Sequence, residues 1–207
     1  SGVENESITQ FMGDMYQNVN IYDNYLDLFG KNFTSPIADG GKAHYDYLLV
    51  DSNWVGRNWC YLIRFSPKHR QQLCFTGEMW INDTSFAVRR IEGGIEPGTN
   101  VNFVQELRVR QEYEEVAHEV WMLTRDEMLA DLNPVRDTGE VSRRPFQGFY
   151  GRRTATYRDF VINKPREDAF YKGMSEVVVD TDPLSLSADW WDTHRHEQLS
   201  KREACLF

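Results

Sequence analysis

The feature that most constrains this chain is a thirteen-residue stretch, 101–113, in which apolar and polar side chains alternate. Val101, Phe103, Leu107, Val109 and Tyr113 fall on one side; Asn102, Glu106, Arg108, Arg110 and Glu112 fall on the other. A period of two marks a strand with one buried and one wet face. At about 3.4 Å per residue the stretch extends roughly 44 Å, beyond the usual strand. Sheets twist and coil as their strands lengthen, so the sequence predicts a curved sheet.

From about residue 43 the neighbouring segments keep the same period. Trp59, Tyr61, Ile63 and Phe65 share one face, and Cys60, Leu62, Arg64 and Ser66 the other. After a polar connection over 67–70, Leu73, Phe75, Met79 and Ile81 alternate with Cys74, Thr76, Glu78 and Trp80, which makes a hairpin. Asn82-Asp83-Thr84-Ser85 supplies the next turn, leading into a strand over 86–92. Gly93-Gly94 and Pro97-Gly98 read as further turns. Segments 116–125 and 127–132 read as separate strands, 133–147 as a loop or loose hairpin, and 148–162 as the last long strand. Aromatic residues, at 14%, suit a pleated and half-buried surface.

Ahead of the strands, residues 7–30 are predicted to be helical. Ser7 and Gln10 have the form of a capping box. Ile8, Phe11, Met12, Met15, Tyr16, Val19, Tyr22, Leu26 and Phe29 follow at three- and four-residue spacing, with Gly30 as a stop. The fold class expected is therefore α+β, mainly β. It is a curved antiparallel β-meander, or half-barrel, with the N-terminal helix packed on it, in one domain over 1–165. Residues 166–207 read as an irregular tail. Ser200 and Glu203 form a second capping box, opening a helix one turn before the last residue, as expected of a piece cut from a longer protein.

Two arginine pairs constrain the second face. Arg89-Arg90 and Arg152-Arg153 lie inside strand patterns, where neighbours point to opposite sides. An isolated buried guanidinium is costly, so a mid-strand placement requires a second face that is open or lined with carboxylates. Placement at strand ends or on edge strands is the alternative.

The search for chemistry narrows the function classes. A net charge of −9 argues against nucleic acid as a partner. No apolar run approaches the roughly 18 residues a spanning helix needs; Tyr47-Leu48-Leu49-Val50 is typical of the longest. Cys60, Cys74 and Cys205 form no zinc-like pair. A bond between Cys60 and Cys74 across the hairpin stays open, with buried free thiols the plainer reading. His194 and Glu197 have an H-x-x-E spacing, but a zinc site needs a third ligand and few residues follow. No nucleophile elbow, Walker A loop or dinucleotide fingerprint occurs. Glu112, Glu114 and Glu115 read as solvated carboxylates at a strand end. Asn32 and Asn82 each begin an N-glycosylation sequon, a short pattern common by chance.

The expectation is a non-catalytic domain with neither cofactor nor metal. Trp59, Tyr61, Phe65, Phe75, Met79, Phe103, Leu107 and Trp121 are the candidates to line an apolar cavity, though the same side chains would equally make an ordinary sheet core. For a hydrolase with an unfamiliar site, Glu78, Glu106, Glu112, His118 and Asp159 would have to converge.

Several stretches together resemble a family. They are Ile21-Tyr22-Asp23-Asn24, Asn32-Phe33-Thr34-Ser35-Pro36, YLIRFSP at 61–67, FTGEMWI at 75–81, NVNFV at 100–104, GFYGRRT at 148–154, Tyr157-Arg158-Asp159-Phe160, and the late Trp191, Arg195, Leu199, Ser200 and Glu203. They are similar to the central region of a Bacteroidota outer-membrane family of unknown function. In its members a carboxypeptidase-regulatory-like sandwich, itself non-catalytic, precedes this region and an outer-membrane β-barrel follows. The resemblance implies a periplasmic location beside the outer membrane and brings no catalytic residues with it. A curved sheet with a helix on it also looks like the LolA/LolB-like lipoprotein-carrier fold, whose concave face holds acyl chains; that likeness is architectural. The functions to weigh are a monomeric binding or interaction module (for lipid or lipoprotein acyl chains), a structural spacer between sandwich and barrel, and an envelope hydrolase.

Overall fold

The computed structural model describes residues 19–69, 72–96, 104–132 and 149–165, with single positions at 99, 101, 167, 187, 189, 190 and 193. The chain divides into two compact units, 1–158 and 159–207. The first is built on an antiparallel meander of seven strands in sequential order: β3 (Tyr45–Val55), β4 (Asn58–Pro67), β5 (Phe75–Asn82), β6 (Val88–Ile95), β7 (Val104–Ala117), β8 (Val120–Leu132) and β9 (Phe149–Thr156). Among the described residues the sheet is not closed, and β3 and β9 are its edges.

The long alternating stretch becomes β7 and carries the expected division of faces. Leu107, Val109, Gln111 and Tyr113 are buried on one side, while Glu106, Arg108, Arg110 and Glu112 occupy the other. Three register shifts fall along its pairing with β8, and one each in β3–β4 and β5–β6. Each bulge bends its strand and raises the local twist, which lets so long a ladder follow a small core. Pairing continues to Ala117, the turn is only His118-Glu119, and β8 then runs unbroken to Leu132. The two strands expected over 116–125 and 127–132 are thus the end of β7 and a single β8.

Residues 19–34 correct the helical expectation. They form a turn and then a hairpin of β1 (Tyr25–Leu28) and β2 (Lys31–Thr34). Phe29 and Gly30 turn the chain with φ of 53° and 65°, both positive as a two-residue hairpin turn requires. The apolar residues serve a period of two as well as one of 3.6: Leu26, Leu28 and Phe33 are buried while Tyr25 is 65% exposed. The part of the predicted helix before Val19 lies outside the described residues. Among the described residues of 19–132 the only helical turn is α1 (Gly41–His44).

The β1–β2 hairpin packs on one face of the sheet. Phe33 stacks near Phe75 at 5.0 Å between ring centroids, and Thr34 N–H donates to the Leu73 carbonyl. Tyr45 links hairpin and sheet: its hydroxyl donates to the Thr34 carbonyl at 2.6 Å and accepts from Phe75 N–H at 3.0 Å. Ile21, Leu26, Leu28 and Phe33 close over Phe65, Phe75, Met79, Ile91, Leu107, Val109, Met128 and Ala130 in a continuous core. Burying each of the larger side chains contributes about 1.5–3 kcal/mol.

Gly93-Gly94, expected as a turn, lies inside β6. A Cβ on Gly77 would come within 2.1 Å of the Glu92 carbonyl oxygen, and one on Gly93 within 3.2 Å of the Phe65 ring. These glycines let β5 and β6 approach closely and give Phe65 its place in the core. Cys60 pairs with Asn82, far along β5 from Cys74, and both thiols are free and buried.

In the second unit, Asp189, Trp190 and Thr193 are helical, and the Ser187 hydroxyl accepts from Trp190 N–H at 3.2 Å in the manner of an N-cap. The H-x-x-E spacing and the final helix lie outside the described residues.

Candidate functional site

The eight side chains singled out for a cavity do not form one group. Phe65, Phe75, Met79 and Leu107 meet in the core beneath the β1–β2 hairpin. Tyr61 is 37% exposed on the same face, nearer the β3 edge. Trp121 packs against the core from the far end of β8. Trp59 sits beside the β3–β4 turn, its ring at 5.5 Å from that of Trp54. Phe103 lies outside the described residues. The void bordered by Val19, Ile21, Leu26, Phe65, Phe75 and Val109 is about 20 Å³, close to the minimum for one water.

A buried polar network, absent from the sequence reading, crosses the covered face at its β7–β9 side. Gln111 and Asp126 are 0% exposed and face each other in the β7–β8 ladder. The Gln111 amide donates to the Val19 carbonyl at 2.7 Å and to Asp126 Oδ1 at 3.1 Å, and its oxygen accepts from the Tyr113 hydroxyl at 2.8 Å. Arg153 of β9 donates to Asp126 Oδ2 and forms its ion pair. Burial pushes the Asp126 carboxyl above its ordinary value, against the pull of Arg153 and Gln111. Burial likewise pushes the Tyr113 hydroxyl up. Gln111, Tyr113 and the Asp126 carboxylate all have partners here, and the net effect is to tie Val19, β7, β8 and β9 together.

The opposite face is a lattice of arginine and glutamate. Arg64 pairs with Glu78 at 2.7 Å, Arg90 with Glu112 at 3.2 Å, Arg110 with Glu112 at 2.7 Å, and Arg125 with Glu127 at 2.5 Å. The Arg90 guanidinium also lies 5.4 Å from the centre of the Trp80 ring. Burial alone would raise Glu112, but its Arg110 hydrogen bond and the charges of Arg90, Arg110 and Arg89 hold it below the usual range. It is therefore an ion-paired mid-strand carboxylate, not a solvated one at a strand end. Arg89 takes its own route, donating to the Tyr113 carbonyl and pairing with Glu114. Arg89-Arg90 thus lies within β6 with carboxylates facing it, and Arg152-Arg153 lies within the edge strand β9, where Arg153 pairs with Asp126. Beside Gly94 this face dips into an open trough of about 550 Å³, bordered by Thr76, Glu78, Glu92, Glu106 and Arg108.

Within the first unit the hydrolase candidates do not converge. Glu78, Glu106 and Glu112 hold separate arginines, His118 occupies the β7–β8 turn, and Asp159 belongs to the second unit. Among the described residues no group of three or more His, Cys, Asp or Glu side chains is placed to hold a metal ion.

The β3 edge is the remaining surface of note. Leu48 is 60% exposed and Leu49 63%, with Tyr47 and Val50 also exposed. The two-residue turn at 56–57 and the Lys68 N–H to His44 carbonyl bond fix the ladder's alternation, so the N–H groups of Tyr45, Tyr47, Leu49, Ser52 and Trp54 point away from β4. Three of these have acceptors: Tyr45 bonds the Gly41 carbonyl, Ser52 bonds Asp51 Oδ1 at 2.7 Å, and Trp54 bonds Asn53 Oδ1 at 2.7 Å. Among the described residues Tyr47 and Leu49 have none.

Among the described residues the domain is open and mainly β, with many of its charged side chains held in ion pairs and an apolar run exposed along β3. The sequence matches the family of unknown function DUF5686 over residues 2–141, and the chain belongs to that family. No curated protein and no solved structure matches it.

Proposed function

We propose that this domain is a non-catalytic interaction module that serves an outer-membrane protein from the periplasmic side. The observation that carries the reading is the contrast between its surfaces. Carboxylates that could do acid–base work are held by arginines, whereas an apolar strand edge is left with unused hydrogen-bonding groups. Retaining such an edge risks aggregation, so a natural sheet that keeps one has a use for it. The periplasmic setting, and the sandwich and barrel on either side, rest on the resemblance in the sequence.

A half-barrel holding an acyl chain is the weaker form of the proposal. The bulges in β3, β6 and β7 favour curvature, but ligand pockets occupy about 300 Å³ or more, and the void under the hairpin is about 20 Å³.

The test is photo-crosslinking in cells, with a benzoylphenylalanine placed in turn at Val50, Arg108 and Glu119. The expected result is a discrete adduct to one recurring envelope protein from at least one position. No adduct from any position would overturn the reading. If the purified chain then turned over envelope glycan or peptide, and Glu112→Gln abolished it, the hydrolase would stand; without turnover, the spacer would.

A further inference from the structure

We infer that the β3 edge accepts an extended segment of a partner as an eighth strand, and that this segment carries basic side chains on one side and apolar ones on the other. The claim presupposes that the domain is an interaction module and names its surface and its partner's chemistry.

The edge is divided along its length. From Ser52 onward it is blunted, because the Asp51 and Asn53 side chains occupy the outward N–H groups of Ser52 and Trp54. A register shift between Leu49 and Asp51 adds a bulge at the boundary. Blunting and bulging are the usual devices by which sheets prevent edge pairing. Neither device covers Tyr47, Leu48 and Leu49, where exposed apolar side chains accompany two outward N–H groups without acceptors. The opposite edge differs: β9 brings Arg152 and Arg153 in place of an apolar run.

Charge and pattern select the occupant. Asp46, Leu48 and Asp51 share one side of β3, and Tyr47 and Leu49 the other, judged by their partners on β4. Asp46 and Asp51 are both exposed, and the one cation across from this run, Arg64, is engaged by Glu78. A strand laid alongside would meet two carboxylates on one side and tyrosine and leucine on the other. Lysine or arginine about four residues apart on one side, with valine, isoleucine or an aromatic on the other, complements that row. A second copy of this chain fits less well. Antiparallel self-pairing centred on Leu48-Leu49 sets Asp46 against Asp51 twice, between molecules of charge −9.

The probes are two short fluorescein-labelled peptides, one alternating valine with lysine and the other alternating valine with glutamate, titrated against the whole chain by fluorescence anisotropy. The lysine peptide is expected to bind and the glutamate peptide not to bind. Leu49→Lys, a change at an exposed position, should weaken the lysine peptide by about tenfold or more. Asp46→Lys should shift preference towards the glutamate peptide, a reversal that loss of folding would not produce. Binding of both peptides alike, of neither, or binding that survives Leu49→Lys would overturn the inference. So would a dimer in sedimentation that Leu49→Lys dissolves, since the occupant would then be a second copy. Crosslinks from Arg108 or Glu119 but not from Val50 would leave the interaction reading standing and remove this edge from it.

Discussion

Single residues show how much of the sheet hangs on a few polar side chains. Tyr45 serves two strands with one hydroxyl, and Tyr45→Phe would leave Phe75 N–H and the Thr34 carbonyl without that partner. The expected cost is about 2–3 kcal/mol in denaturant unfolding. Glu112 and Asp126 predict opposite pH effects. Glu112 is held below its ordinary value of 4.5, so it stabilises above that pH, and the benefit is lost as pH falls through its lowered value. Glu112→Gln should therefore flatten the acid limb of a melting-temperature profile and lower stability at neutral pH. Asp126 is raised above 3.8, so its contribution runs the other way: stability falls as pH rises from 3.8 through the folded value. Asp126 also explains a boundary the sequence concealed. The charged run Arg125-Asp126-Glu127 between two apolar stretches reads as a break, yet Arg153 and Gln111 satisfy Asp126 and β8 passes through.

At the scale of elements, alternation was legible wherever one face is wet, and β4, β5 and β7 emerge with their faces as expected. It failed where two periods coincide. In residues 21–29 the apolar positions satisfy a helical stripe and a strand alike, and only the positive φ pair at Phe29-Gly30 decides for a hairpin. Gly93-Gly94 misled for another reason, since closeness of neighbouring backbones leaves no local mark in sequence. Gly77→Ala should cost about 3 kcal/mol by overpacking, measurable as a lowered denaturation midpoint. Phe33→Ala should cost about 3–5 kcal/mol, because its buried ring joins the β1–β2 hairpin to the sheet. The cavity candidates do not group: Phe65, Phe75, Met79 and Leu107 belong to the filled core, while the places of Trp59, Tyr61 and Trp121 depend on chain reversals that composition does not specify.

For the molecule as a whole, the two faces and the two edges have different uses. One face is closed by the β1–β2 hairpin and the buried network, and the other is neutralised by its own ion pairs, each worth at most about 1 kcal/mol where exposed. The β9 edge carries arginines, and the β3 edge carries Tyr47-Leu48-Leu49-Val50. That apolar run was visible from the start as one too short to span a membrane; its place on an outer strand follows only from topology. Hydrogen exchange of the backbone amides in the isolated chain tests this edge most directly. Tyr47 and Leu49 should exchange rapidly while Asp46 and Leu48, which point towards β4, are protected by the ladder. Equal protection at all four would mean that the edge is already covered, and would contradict the central claim.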